Sequence, residues 1–162
     1  MQATSESQAP ATVRRLRDQL TSRPRKEHFY VTLLGLRTFD TLGLHDRVED
    51  GLSYEALERV RRALDLSTAH FAEFVRIPPR TLARRKDAGK LHAGESDRLL
   101  RLTRIFGLSL QLFEGDLEAA RSWLLQPHPA LDGSAPLAFA TSEIGAREVE
   151  HVIGRLEHGI PL

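Results

Sequence analysis

The chain has 162 residues, 41% hydrophobic and 28% charged, the balance of a soluble globular protein with room for one domain or two small helical ones. No run approaches the roughly eighteen apolar residues of a membrane helix, the N-terminus lacks the apolar core of a secretory signal, and the absence of cysteine excludes disulfides, zinc ribbons and thiol catalysis, so a cytoplasmic protein without membrane contact is expected. The net charge of +1 hides an asymmetry: residues 1–104 hold 20 Lys and Arg against 14 Asp and Glu, residues 105–162 hold 3 against 8, and halves of opposite sign suggest two different partners.

Residues 1–10, with Thr4, Ser5, Ser7 and Pro10, read as a disordered start. From Ala11, the spacing of Val13, Leu16 and Leu20 suggests a short basic helix broken at Ser22-Arg23-Pro24. Phe29 to Leu36 is apolar, which periodicity cannot divide between strand and helix; no second strand offers to pair with it, so helix is expected. Leu44 and Val48 mark a short helix closed by Gly51. Ser53 caps the next, with Leu57, Val60 and Leu64 on one face. Ser67 starts another that buries Phe71, Phe74 and Val75, and Pro79 suits the first position of its successor, where a missing N–H costs nothing. A longer helix is expected from Glu95 to Phe113, with Gly107 as a candidate bend. Asp116 caps a segment that must stop near Gln126, because Pro127 and Pro129 follow. After a rigid loop over 127–135, a last helix from about Ser142 to His158 carries Val149, Val152, Ile153 and Leu156 on one face before Gly159 ends it. The fold class is all-α.

Helices 67–74 and 79–87, separated by a short break, have the proportions of a helix-turn-helix, in which the first helix braces the second and the second enters the major groove. Phe71, Ala72, Val75, Ile77 and Leu82 supply the internal contacts, leaving Arg80, Thr81, Arg84 and Arg85 to point outward. Between 76 and 90 stand six basic residues, Arg76, Arg80, Arg84, Arg85, Lys86 and Lys90, against one acid, Asp87. A merely solvated face would interleave acids at i,i+4, so DNA contact by these residues and Thr81 is the preferred reading: arginine can bridge a guanine edge or neutralise a phosphate.

Enzymatic readings are weaker. His70 with Glu73, His92 with Glu95, and Glu148-x-x-His151 are spaced for acid–base or metal work, but a di-iron bundle needs the last unit twice, and it occurs once. Gly35 and Gly43 make no phosphate loop. No catalytic residue, metal or cofactor is expected. Trp123, the sole tryptophan, is either a core anchor of the C-terminal half or an interface hot spot; its place one position from the apolar stripe favours the core.

The chain resembles the antitoxins of the Xre/ParS/MbcA type, helix-turn-helix partners in bacterial type II toxin–antitoxin modules. In the first part of the match Gly51-Leu52, Thr81-Leu82, Arg85-Lys86, Leu91 and Glu95-Ser96-Asp97-Arg98 follow the family pattern. In the second, Trp123-Leu124, Pro127, Ala130-Leu131, Gly133, Pro136-Leu137, Thr141, Gly145-Ala146, Val149, Leu156 and His158-Gly159 follow its toxin-binding domain. Arg76 departs from the family's usual glycine, and Ser142 separates Thr141 from Glu143, where the family runs Thr-Glu directly.

The match covers roughly residues 40 to 160, and with the reading of the N-terminus it gives three expected regions: a flexible or weakly helical segment over 1–27, a helix-turn-helix DNA-binding domain over 28–104 and a toxin-binding domain over 105–162. It also implies a homodimer that binds operator DNA, represses its own operon and inhibits a RES-domain toxin that consumes NAD, or a related ADP-ribosyltransferase. Candidate toxin contacts are Glu148, Glu150, Glu157, His158, Ile160 and Leu162, although a solvated helix face explains the three glutamates equally well. Trp123, Leu124, Pro127, Leu131, Gly133 and Pro136 would build the toxin-binding domain. The rival from another class is a repressor that senses a small ligand through its C-terminal half.

Overall fold

A computed structural model describes residues 29–37 and 40–162; the expectations for residues 1–27 lie outside it. The described residues form nine α-helices: α1 (Phe29–Leu33), α2 (Thr41–Asp50), α3 (Tyr54–Ala63), α4 (Thr68–Val75), α5 (Pro79–Ala88), α6 (Ala93–Leu112), α7 (Leu117–Leu125), α8 (Pro136–Phe139) and α9 (Glu143–Glu157), with a 3-10 turn at Pro129–Leu131. Among them there is no strand, and one isolated bridge joins Ser53 to Lys90. The all-α expectation holds.

Local chemistry sets most helix starts. Side chains of Asp40, Ser53, Ser67, Asp116 and Ser142 each accept the N–H three residues on, at 2.7–3.1 Å, which satisfies a donor the helix itself cannot. α6 starts two residues earlier than Glu95, because Glu95 sits at its third position and its carboxylate accepts the His92 N–H at 2.8 Å, half of a capping box that lets His92 stand where Ser or Thr is usual. Gly107 lies buried within an unbroken α6. Pro79 occupies the first turn of α5 as expected. α8 lies between the loop expected over 127–135 and the last helix, where no element was expected: Pro136 opens four helical residues.

Helix ends follow a common device with unusual residues. At the end of α4, Ile77 N–H donates to the Ala72 carbonyl at 3.0 Å and Arg76 N–H to that of Glu73 at 3.2 Å, with Arg76 left-handed at φ 52; this is a Schellman motif. Asp65 and Glu114 do the same after α3 and α6. Arg76 thus adopts the left-handed conformation that glycine takes most readily, at a cost of about 1 kcal/mol for a side chain in that region.

α6 is the spine. It packs against α1, α2, α4, α7, α8 and α9, and its Leu99, Leu102, Ile105, Phe106 and Leu110 are buried. One hydrophobic cluster runs from Leu33 through Phe71, Phe106 and Leu124 to Ile153. A boundary between 104 and 105 falls inside this helix, so the two halves share a core. Within the C-terminal half, a Cβ at Gly145 would lie 1.9 Å from the Phe139 carbonyl oxygen, so only glycine lets α9 start against the end of α8.

Candidate functional site

α4, the turn Arg76–Pro78 and α5 form the helix-turn-helix. Leu82 is buried beneath α5, as are Phe71, Val75 and Ile77 beneath α4 and the turn, which fixes the outward direction of the rest. Arg80, Ala83, Arg84, Lys86 and Asp87 are exposed and Thr81 is half-buried. Arg84 lies 3.4 Å from the Thr81 hydroxyl. Among the described residues Arg80, Arg84 and Lys86 form no ion pair; Arg80 and Arg84 share the outward side with the exposed Asp87, while Lys86 lies toward Glu58, whose carboxyl feels its charge.

The remaining predicted basic residues are engaged elsewhere. Lys90 lies 3.3 Å from Asp50. Arg76 is exposed, and its guanidinium donates to the Thr141 hydroxyl at 3.1 Å, tying the helix-turn-helix turn to the C-terminal half. Arg85 turns inward: its Nε and Nη2 donate to the two oxygens of Glu95 at 2.8 and 3.1 Å, and Nη2 meets His92 Nδ1 at 3.0 Å. Outward projection, expected from the spacing, does not occur for this side chain, because Glu95 at the start of α6 reaches it first.

Glu95 belongs to a set whose physical role the sequence did not reveal. Its neighbour Ser96 is buried and its hydroxyl accepts the Leu52 N–H at 2.8 Å; Arg98 Nε donates to the Val75 carbonyl at 2.7 Å, at the end of α4. Three residues of the Glu95-Ser96-Asp97-Arg98 stretch thus hold α5, the segment before α3, and α4. Close by, Leu91 N–H donates to the Leu52 carbonyl at 2.8 Å, and Gly51 is required since a Cβ would meet the Leu91 oxygen at 2.2 Å. Burial pushes the Glu95 carboxyl up, but hydrogen bonds from Arg85 and the His92 backbone, with the charges of both residues, outweigh it and hold it below the usual carboxylate range.

In the C-terminal half, Leu124, Leu131, Pro136 and Leu137 are buried. Trp123 is half-buried against the core, its ring 6.3 Å from that of Phe113 and 5.9 Å from that of His128, so it closes the edge of the core. Pro127 is exposed and leads into a turn in which Gly133 adopts φ 77 and donates to the His128 carbonyl at 3.1 Å.

Of the predicted toxin contacts, Glu148, Glu150, His158 and Ile160 line one open groove along α9, together with His151 and Arg155. Leu162 and Glu157 are exposed outside its lining. The tail is folded back rather than loose: Ile160 N–H donates to the Arg155 carbonyl at 2.9 Å, and the Arg155 guanidinium donates to the Pro161 carbonyl. Glu150 is not a bare acid, since Arg104 Nε binds it at 2.7 Å. Likewise Glu143 accepts from Arg101 and Arg147, both at 3.1 Å. The hydrogen bond from Arg147, helped by Arg101 and opposed by partial burial, lowers its pKa. Part of the charge contrast between the halves is thus satisfied inside the molecule. Sequence reasoning also missed Ile144, a large apolar side chain 84% exposed in the first turn of α9.

Glu148 and His151 lie 3.6 Å apart, and among the described residues no three His, Asp or Glu side chains gather into a metal-binding group. Among the same residues no helix is long and apolar enough to cross a membrane.

The fold and its two surfaces define a helix-turn-helix DNA-binding protein with a helical partner-binding half. The family model of the antitoxin Xre-like helix-turn-helix domain matches residues 43–104, and that of the antitoxin Xre/MbcA/ParS C-terminal toxin-binding domain matches residues 109–159. Antitoxin Xre of Yersinia enterocolitica is 32% identical over 118 residues, which cover 72% of this chain and 80% of that protein. Antitoxin Xre of Photorhabdus laumondii is 30% identical over 114 residues, 70% of this chain and 77% of that one, and that of Pseudomonas putida 28% identical over 120 residues, 74% of each. The chain belongs to the Xre antitoxin family: it is an antitoxin of a toxin–antitoxin system, with a DNA-binding and a toxin-binding domain, and its homologues imply an inhibitory and regulatory role rather than a catalytic one.

Proposed function

We propose that this antitoxin inhibits a RES-type toxin that consumes NAD, or a related ADP-ribosyltransferase, and as a cytoplasmic homodimer represses its own operon. Operator contact would run through Arg80, Thr81, Arg84 and Lys86 on α5, with Arg76 and Lys90 at its margins. The observation that supports the repressor reading is the pair of exposed arginines on α5, Arg80 and Arg84, which form no ion pair among the described residues, because such cations release counterions from DNA when they meet phosphates. Toxin contact would run through the groove along α9, with Glu148, His158 and Ile160 as its principal residues and Glu157 and Leu162 beside it. A protein that binds the phosphates of NAD would offer positive charge at its entrance, which Glu148 and Glu157, the acids of this surface without an arginine partner among the described residues, would complement.

The test is co-expression with the neighbouring gene product, following growth and cellular NAD, using the full chain and an Ile160→Asp, His158→Ala variant. The neighbour alone should stop growth and lower NAD, the full chain should rescue both, and the variant should rescue neither. A neighbour that stops growth at constant NAD sinks the toxin class; a harmless neighbour sinks the pairing. Repression is read separately, as binding of the purified chain to DNA upstream of its own operon.

A further inference from the structure

Arg85 stands in the middle of the recognition helix, yet it differs from Arg80 and Arg84 in burial and in the partners of its guanidinium. Its side chain is 13% exposed and that of Glu95 10%. Nε and Nη2 grip both carboxylate oxygens as a fork, and Nη2 also meets the His92 ring. The carboxylate is held in turn by the His92 N–H at the start of α6, so the fork is fixed to the spine of the fold rather than to a mobile chain. The planar, bidentate geometry is one that guanidinium forms and ammonium does not. α5 has one buried residue, Leu82, and its end is held by the Tyr54 N–H on the Gly89 carbonyl at 3.0 Å, so the fork is the side-chain anchor that adds a polar hold to one apolar contact.

We infer that Arg85 is a positioning residue for DNA recognition, aiming α5 through its fork with Glu95, and that the charge which meets the phosphates is carried by Arg80, Arg84 and Lys86. The inference rests on the DNA-binding reading above. Its physical content is that Arg85 and Glu95 cancel each other's charge in place. Arg85 therefore releases few counterions from DNA, whereas each exposed cation that meets a phosphate contributes about 0.9 to the slope of log affinity against log salt. Misaiming a recognition helix lowers affinity through geometry and leaves that slope nearly unchanged, because the remaining contacts stay electrostatic.

The experiment measures binding to upstream DNA across a salt series for Arg84→Ala, Arg85→Ala, Arg85→Lys, Glu95→Gln and the exchanged pair Arg85→Glu with Glu95→Arg, with melting temperature and toxin neutralisation as checks on folding. Glu95→Gln and Arg85→Ala should each weaken binding about tenfold or more with an unchanged salt slope, and Arg85→Lys should recover little of it. The exchanged pair should restore part of the affinity, short of the full value because a guanidinium at the start of α6 cannot accept the His92 N–H. Arg84→Ala should lower the slope. The assignment is overturned if Arg85→Ala lowers the slope by about one while Glu95→Gln binds normally, or if the exchanged pair, now presenting a carboxylate from α5, binds worse than Arg85→Ala. Should Arg85→Ala and Glu95→Gln fail to fold, Arg85→Lys decides alone, since it keeps the charge and loses the fork: weakened binding with an unchanged salt slope and a normal melting temperature supports the assignment, and normal binding overturns it. If the unsubstituted chain ignores the DNA altogether, the DNA-binding reading itself fails, a result separable from any pattern among the variants.

Discussion

α5 and α9 carry the two exposed surfaces of this antitoxin, and they obtain their charge in opposite ways. On α5 the cations Arg80 and Arg84 form no ion pair among the described residues and Lys86 only faces Glu58 at longer range, while the one inward arginine, Arg85, is neutralised by Glu95. On α9 the acids are largely spoken for: Glu143 holds Arg101 and Arg147, and Glu150 holds Arg104, leaving Glu157 exposed and Glu148 beside His151. The lesson is that a surplus of charge in a sequence marks a surface only where the fold leaves it unpaired. α5 presents an electrostatic surface and α9 a mixed one, in which Ile144, Ile160 and Leu162 are as exposed as any carboxylate needs to be.

The comparison breaks most completely if the two surfaces do not share one core. Phe106 is fully buried in α6, and Phe106→Ala should cost about 3–5 kcal/mol and abolish DNA binding and toxin neutralisation together, in one melting transition by circular dichroism. Two separated transitions would show that the halves fold apart. For the same reason, deletion of 142–162 is a poor test of neutralisation alone, since it removes Ala146, Val149, Val152 and Ile153 from the common core.

A smaller effect separates the surfaces. Gly145→Ala places a methyl against the Phe139 carbonyl and should destabilise the fold by about 1–3 kcal/mol, with neutralisation lost before DNA binding. Gly154→Ala, where a Cβ meets nothing within 4 Å, should instead stabilise α9 by about 0.5–1 kcal/mol. Equal melting temperatures for the two variants would contradict the close approach of α8 and α9.

Acid titration sharpens the charge contrast. The carboxyls of Glu58, Glu95 and Glu143 are all held below their ordinary value of 4.5 by arginine hydrogen bonds and charges, working against burial. Groups with a lowered folded pKa contribute stability that is complete above the unfolded value and is lost as pH falls through the folded one. Melting temperature should therefore hold near neutrality and fall as pH drops below about 4.5, and Glu95→Gln should flatten part of that fall. The smallest change expected is from Arg76→Gly, which relieves the left-handed arginine, gives up its contact with Thr141 and should raise stability by about 0.5–1 kcal/mol. A loss of stability would mean that the Thr141 contact outweighs the backbone strain.

Much of the fold was legible because it is local. Ser53, Ser67, Asp116 and Ser142 are capping residues whose hydrogen bond spans three positions, and Pro79 fits a first turn wherever it occurs. Helix ends were harder. Gly51 and Gly159 marked two of them, but Asp65, Arg76 and Glu114 adopt the same left-handed conformation with no glycine to announce it, since the motif's hydrogen bonds are made by the backbone. The start of α6 was misjudged because His92 is an uncommon cap, and α8 because four residues are too few to show a period.

The candidate site divides in the same way. The sequence by itself determined that the chain is all-helical, that a basic helix follows a turn after Ser67, and that the stretch from Trp123 to Gly159 matches a toxin-binding domain. Each of those rests on residue type and short spacing. Tertiary structure alone decided which charges face outward. Arg85 and Arg84 are adjacent, equally basic and indistinguishable by composition, and they part because Glu95, ten positions along the chain, reaches one and not the other. Arg104 and Glu150 lie 46 positions apart and cancel for the same reason. Coulombic pairing acts over a few ångströms of space, and separation along the chain carries no record of it.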